Sequence, residues 1–479
     1  METQSNETDF YEEINFHPSL DIKDDILVLG FRVKPEANKD GSELFVIATA
    51  TSAFTITGNS FTIKDKTYYI DTKKRVLAKL AHRWSRKELD AFLKTFLTGQ
   101  KVQAPLEIFE SLKSLLKQHM DIDEADVILM CTWAIGTYFF PLFSAYPYLH
   151  IKAPKGSGKT QCLSFLNQVC FNATKARASL PALRDTVDSL RGTYLMDQAD
   201  VLNRPFYMED LLDILTDSYK RGGGNIRKMV ADKGKNWNLE EFQAYSPKAF
   251  ASIKELPEDL RDRCIVISLV RSRKNFKSLD EESPIWKETR GALYRLLIGH
   301  FMFAVGTHVM KKIEYERQTN PAFFARKLEL WMLFDVMFSV LGVPENDQRI
   351  AKERFLSQYN FTEYQVSDLE QAIIEVTRQL LGEQDEMVLS PSEISESVDV
   401  FLFDEDCITK KQRAAEVGKV IAKFNLSSEK LPRSNRAARY RFKREQVDAV
   451  YKAYFSVANE DVPTQPCTPE TNEGDVKES

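Results

Sequence analysis

The chain lacks the marks of several protein classes. Its six cysteines include no C-x-x-C pair and are scattered, so they form neither a zinc site nor a disulfide framework. That pattern fits a reducing compartment, and a cytoplasmic protein is expected. Positive charge is not in excess: the formal net charge is −5. A globally basic nucleic-acid binder is thereby excluded, and any such binding must be local. Residues 1–13 are acidic and lack the basic start and apolar run of a signal peptide. No long internal repeat is present. Charged side chains are absent from Val127 to Leu149, a run long enough to span a bilayer. Pro141 and Pro147 divide that run, and its second half leads into the motif described below. It therefore predicts a buried helix over about 124–139, then a turn and a strand, with no membrane partner.

What is present is globular. Hydrophobic residues make up 43% and charged residues 28%, and 479 residues exceed one ordinary core. The order of patterns predicts a β-rich region over 1–72 and a helical linker over 73–121. An α/β core over 122–275 and a helical connector over 276–388 follow. A short mixed domain over 389–455 and a disordered acidic tail over 456–479 complete the chain. In the first region Ile26–Phe31 and Leu44–Ala48 are apolar runs, and Phe54 to Tyr69 alternates around a turn at Gly58-Asn59.

The most informative stretch is Ala153-Pro154-Lys155-Gly156-Ser157-Gly158-Lys159-Thr160. It fits G-x-x-x-x-G-K-[ST] with Ala in place of the first Gly. Glycines let backbone N–H groups turn toward phosphate oxygens. Lys159 can reach the β- and γ-phosphates, and the Thr160 hydroxyl can ligate Mg²⁺. A strand signal at Tyr146–Lys152 precedes the loop. Leu163, Leu166 and Cys170 recur at helical spacing after it, so the helix N-terminus would face the phosphates. A second apolar run, Thr193–Met196, ends in Asp197, a candidate to hold Mg²⁺ through water. Gln198 follows, where many such ATPases carry a water-activating Glu. Gln can orient a water but cannot take its proton. Asp200 is the nearest carboxylate that could compensate, or else a helix N-terminal charge or a surface loop residue.

Two basic segments stand out. Arg221-Gly222-Gly223-Gly224 opens a Gly-hinged hairpin with Arg227, Lys228, Lys233, Lys235 and Trp237. Such charge attracts phosphate backbones, and the aromatic ring can stack on bases. A solvated surface hairpin is the plainer alternative. Farther on, Lys410, Lys411, Arg413, Arg433, Arg436, Arg439 and Arg441 lie in a strongly basic stretch. A helix through Val417 and Ile421, a strand at Arg439–Phe442 and a following helix suit a winged helix binding duplex DNA. An interaction module with a solvated basic face is the alternative. Between these segments, the apolar strand Lys248–Ile253 ends near Ser252, and Arg261 and Arg263 precede another strand.

Taken together, residues from about 122 to 275 resemble the AAA+ ATPase (helicase) part of primase–helicase proteins from phages, plasmids and other mobile elements. The resemblance rests on Pro147–His150 leading into Gly156–Thr160 and on Leu195–Asp200. It extends to Tyr219–Gly223, Ser246–Ala249 and Leu260–Cys264. It implies an α/β P-loop AAA+ core, with a β-rich region before it and a winged helix after it. It also implies ATP and Mg²⁺ as cofactors and a homo-oligomeric ring, expected to be a hexamer. Ser252 falls at the family's phosphate-sensing position. Arg263 matches the arginine finger that reaches a neighbouring subunit. The hairpin at 221–237 corresponds to a pore element gripping single-stranded DNA. The implied activity is that of a DNA helicase or translocase in replication of a phage or mobile element. The departure at Gln198 leaves open a DNA-binding assembly or initiator protein that uses ATP to control oligomerisation and hydrolyses it slowly.

Overall fold

Near the N-terminus, short alternating segments pair into two small sheets. The computed structural model describes residues 15–32, 43–72, 87, 90–91, 93–94, 103–176, 179–203, 208–231, 237–269, 276–317, 325–360, 368–403, 409–424, 426–434 and 437–455. The strands are β1 (Asn15–Phe16), β2 (Leu20–Lys23), β3 (Ile26–Arg32), β4 (Glu43–Ala48), β5 (Ala53–Ile56), β6 (Ser60–Ile63) and β7 (Lys66–Ile70). One sheet has the order β2-β3-β4-β5 and the other β1-β7-β6. A shared core holds Phe16, Val28, Phe45, Phe61 and Ile70. The β2–β3 and β6–β7 hairpins turn through Asp24-Asp25 and Lys64-Asp65, all four at positive φ. That is the two-residue type I′ turn, whose twist matches the strands. Gly58-Asn59 links β5 to β6, which lie in different sheets.

Two helices follow, α1 (Pro105–His119) and α2 (Glu124–Gly136). Every residue of α2 from Asp126 to Gly136 is buried, so the charge-free run begins as a core helix. The helix stops short of the expected 139, and a 3₁₀ turn over Phe140–Leu142 contains Pro141. Gly136 is required by space. A Cβ there would lie 2.6 Å from Leu333 Cδ1 and 2.8 Å from Tyr146 Oη.

The centre is a strand–helix alternation: β8 (Tyr148–Lys152), α3 (Lys159–Val169), β9 (Thr174–Ala176), α4 (Leu180–Leu190) and β10 (Tyr194–Met196). It continues through α5 (Glu209–Asp217), β11 (Ile226–Ala231), β12 (Trp237–Phe242), β13 (Lys248–Ser252), α6 (Glu258–Arg261) and β14 (Cys264–Ser268). Five of these strands form a parallel sheet in the order β14-β8-β13-β10-β9. The three inner strands β8, β13 and β10 are buried almost throughout, as both-sided covering demands, while edge strand β9 is not. The chain leaves β8 toward β9 on one side and leaves β13 toward β14 on the other. The carboxyl ends of neighbouring β8 and β13 thus flank a topological switch point, where open α/β sheets bind ligands. Among the described residues, β11 and β12 pair only with each other.

Three helices follow: α7 (Pro284–Arg317), α8 (Ala325–Leu341) and α9 (Glu345–Asn360). By length and composition α7 is apolar enough to cross a membrane. One face of it packs on α8, and its Tyr294 ring meets Phe31, Tyr138 and Phe171.

The chain divides into two compact units, Met1–Gln358 and Tyr359–Ser479. The second contains α10 (Asp368–Leu381), β15 (Glu386–Leu389), α11 (Pro391–Ser397), α12 (Lys410–Lys423), β16 (Glu429–Ser434), β17 (Ala437–Lys443) and α13 (Arg444–Phe455). Its antiparallel sheet has the order β15-β17-β16. Ile373, Ile394, Val417, Ile421 and Phe442 fill its core. Capping boxes at Ser390 and Thr409 fix the starts of α11 and α12.

Candidate functional site

The loop between β8 and α3 takes the shape its glycines allow. Gly156 and Gly158 have φ of 82° and 90°, a region that favours glycine. A Cβ at either position would meet nothing within 4 Å, so conformation and not space selects Gly. Pro154, Lys155 and Gly156 are exposed. Among the described residues, nothing accepts from the N–H groups of Gly156, Ser157, Gly158, Lys159 or Thr160, as expected where a helix begins. Ser157 Oγ is buried and makes no hydrogen bond. Lys159 folds back, donating to Ala153 O at 2.6 Å and Pro154 O at 2.9 Å. Thr160 is exposed beside it.

Parallel register brings the other candidates to the same edge. Lys152 pairs with Ser252 on β13 and with Ser268 on β14, and Ala153 N donates to Ser252 O at 3.2 Å. Asp197 directly follows β10, whose last residue pairs with Phe250 of β13. Asp197 Oδ1 accepts from Gln198 N at 2.8 Å. Gln198 is exposed, with φ of 57°. Asp200 is already committed. Its oxygens accept from Ile253 N (3.0 Å to each) and from Lys254 N (2.8 Å). It clamps the segment after Ser252 from the first turn of a short 3₁₀ helix, Ala199–Asn203, where a helix N-terminal charge is expected. Asn203 Nδ2 adds a bond to Glu255 O at 2.8 Å, and Glu255 pairs with Lys152. Burial would raise the Glu255 carboxyl, but the hydrogen bond and charge of Lys152 outweigh it and hold the group below its usual range.

Sequence reasoning missed His150. It sits in mid-strand on β8, fully buried, with Nε2 2.7 Å from Ser252 Oγ. Burial pulls its pKa down to about 4. It reads as one polar residue in an apolar strand, and its partner lies on another strand. Lys248 was also missed. Its head is buried and donates to Ala244 O at 2.7 Å and Ser246 O at 3.1 Å, beneath the Tyr148 ring. Burial drives its pKa well below the lysine range.

Arg263 turns inward. It is 9% exposed, donates to Asp259 O, and stacks 5.3 Å from the Tyr219 ring centroid. Arg261 is only half-buried.

The hairpin is less basic than its first strand. Arg227 lies opposite Glu241 at 3.8 Å, and the register sets Lys228 against Glu240. Arg221 is a root tether: it donates to Pro141 O and, at 3.2 Å, to Phe143 O. Lys233 and Lys235 lie outside the described residues, as does the Lys228 side chain. In the second unit Lys410 pairs with Glu396 at 3.0 Å, and Arg441 with Glu386 at 2.8 Å and Glu429 at 3.2 Å. Arg413 stacks 6.0 Å from the Phe403 ring centroid. Lys411 and Arg439 are exposed. The Arg433 side chain and Arg436 lie outside the described residues.

Among the described residues, no group of three or more His, Cys, Asp or Glu is placed to hold a metal ion. Thr160, exposed at the start of α3, and Asp197, just after β10, carry the kinds of oxygen donor that a magnesium ion completed by phosphate and water would need.

No family model matches the chain, and no curated protein matches it. Solved structures are similar at low level. The A-form apo structure of the NrS-1 C-terminal region is 12% identical, with 84% of this chain and 94% of that one covered and a TM-score of 0.34. A second structure of that region is 11% identical, with coverages of 87% and 96% and a TM-score of 0.33.

Proposed function

We propose that the chain is an AAA+ type, ATP-driven DNA translocase or helicase that acts as a homo-oligomeric ring in replication of a phage or mobile element. One observation carries the reading. The Lys159 loop, Asp197 and Ser252 all reach the carboxyl edge of one parallel sheet, beside its switch point. The free N–H groups of 156–160 and the orphaned Ser157 hydroxyl are donors suited to phosphate oxygens. Bound ATP with Mg²⁺ would supply the energy of phosphoryl transfer to water. In this reading Lys159 leaves the loop carbonyls for the phosphates, Thr160 and Asp197 hold the metal, and Gln198 orients the water. The order α10–β15–α11–α12–β16–β17 suits a winged helix with α12 toward duplex DNA. The β11–β12 hairpin would face a single strand in the pore.

A second reading keeps ATP binding but gives it a slow, assembly-controlling role. Gln198 cannot accept a proton, and Asp200 spends both oxygens on Ile253 and Lys254. Phosphate release with single-stranded DNA present separates the readings. The translocase reading expects DNA-stimulated release that Lys159→Ala abolishes. Equal background rates in wild type and variant, with ATP-dependent oligomer mass in wild type alone, would replace it with the assembly reading.

A further inference from the structure

The hydroxyl of Ser252 has one proton, and the structure shows where it goes. Ser252 Oγ lies 2.6 Å from Lys254 O, a carbonyl that can only accept. The proton is therefore on that bond. His150 Nε2, at 2.7 Å, must be the donor of the second bond. Its other nitrogen, Nδ1, is buried and has no hydrogen-bond partner among the described residues. An unpaired acceptor there is consistent with a single proton on Nε2. Asp200 steadies the acceptor side, because its carboxylate holds the N–H groups of Ile253 and Lys254, the two peptides that lead up to the Lys254 carbonyl. In this arrangement Ser252 has nothing left to donate.

We propose that Ser252 is a two-position hydroxyl latch, with its proton parked on Lys254 O until a terminal phosphate takes it, and that His150 is the positioning residue that pins the oxygen in both positions. The proposal rests on the nucleotide reading of the site. Rotation about the Ser252 Cβ–Oγ bond would move the proton from carbonyl to phosphate oxygen without breaking the His150 bond. No covalent step is involved. A triphosphate would gain a bond to a charged acceptor that a diphosphate cannot reach, so the latch confers preference for the triphosphate. Without the imidazole donor, the oxygen would lose the bond that fixes its place, and the preference would fall.

The test is equilibrium binding of fluorescent ADP and of a fluorescent, non-hydrolysable ATP analogue to the full chain with Mg²⁺. Wild type is expected to prefer the triphosphate, and His150→Leu to lose about tenfold of that ratio. His150→Gln can place an amide N–H where Nε2 stood and should keep most of the ratio. Imidazole ¹⁵N shifts of the wild type should report the proton on Nε2. An unchanged ratio in His150→Leu would overturn the latch, as would equal loss in both variants or a proton on Nδ1. Failure of the wild type to bind either nucleotide would instead remove the nucleotide reading itself. Thermal melts confirm that each variant is folded.

Discussion

A single buried imidazole ties the candidate site to the stability of its sheet. His150 is held neutral by burial, with its pKa pulled to about 4. In the unfolded chain a histidine binds a proton near pH 6.5. Between these values the unfolded state carries a proton that the folded state refuses. Falling pH therefore favours unfolding across that window, and full stability is present only above about pH 6.5. The whole shift corresponds to roughly 3 kcal/mol. His300 and His308 are also shifted down by burial and act in the same direction. Glu255 and Asp21 are held low, by Lys152 and by Arg191 with Lys23 against the opposing effect of burial. Their contributions are lost only at more acid pH. The expected outcome is a urea midpoint that drops from pH 7 to pH 5 in wild type and drops measurably less in His150→Leu. Parallel slopes in the two proteins would show that His150 takes up a proton without cost.

At the scale of elements, the hairpin shows what pairing adds to a list of charges. Arg227 and Lys228 are matched across the ladder by Glu241 and Glu240, and cross-strand opposite charges partly cancel. If this element grips a DNA backbone, its acids limit the grip. Glu240→Gln with Glu241→Gln should tighten single-strand binding and steepen its salt dependence by about two phosphate contacts at most. Arg227→Ala with Lys228→Ala should flatten it. Salt titrations of binding that coincide for all three proteins would mark the hairpin as a plain surface element. The basic stretch legible at 221–237 held the first strand of this hairpin but ended where the second begins, at Trp237, so the acidic register of Glu240 and Glu241 lay beyond it. The same limit applied elsewhere. The buried α2, free of charge from Val127 on, and the glycine-bearing loop were legible, since a run without charge and glycines able to take positive φ are local properties of a few residues. The partnership of His150 with Ser252, the commitment of Asp200 and the inward turn of Arg263 depend on side chains meeting across strands. The I′ turns at Asp24-Asp25 and Lys64-Asp65 were missed for another reason. Neither contains the glycine that usually marks positive φ.

At the scale of the whole molecule, the proposed ring depends on sites shared between chains, and the two arginines before β14 bear on it differently. A residue that neutralises charge on a neighbour's phosphate must project from its own subunit. Arg263, which matches the family position, is spent within the chain on Asp259 O and the Tyr219 ring. Arg261, the last residue of α6, is half-buried, and among the described residues its buried Nε has no hydrogen-bond partner, so it has fewer bonds to give up than Arg263. Mixing two inactive proteins separates them. A Lys159→Ala subunit supplies intact arginines, and an arginine variant supplies an intact loop, so working sites reappear only where the two kinds meet. With Arg261→Ala as partner, DNA-stimulated phosphate release is expected to return in the mixture. Arg263→Ala is expected to fail through its own fold, seen as a lowered melting temperature from the loss of a buried, hydrogen-bonded cation. Recovery with Arg263→Ala and none with Arg261→Ala would return the finger to Arg263 and require its side chain to leave Tyr219 when subunits assemble. Recovery with neither, in two folded variants, would mean that each chain completes its own site.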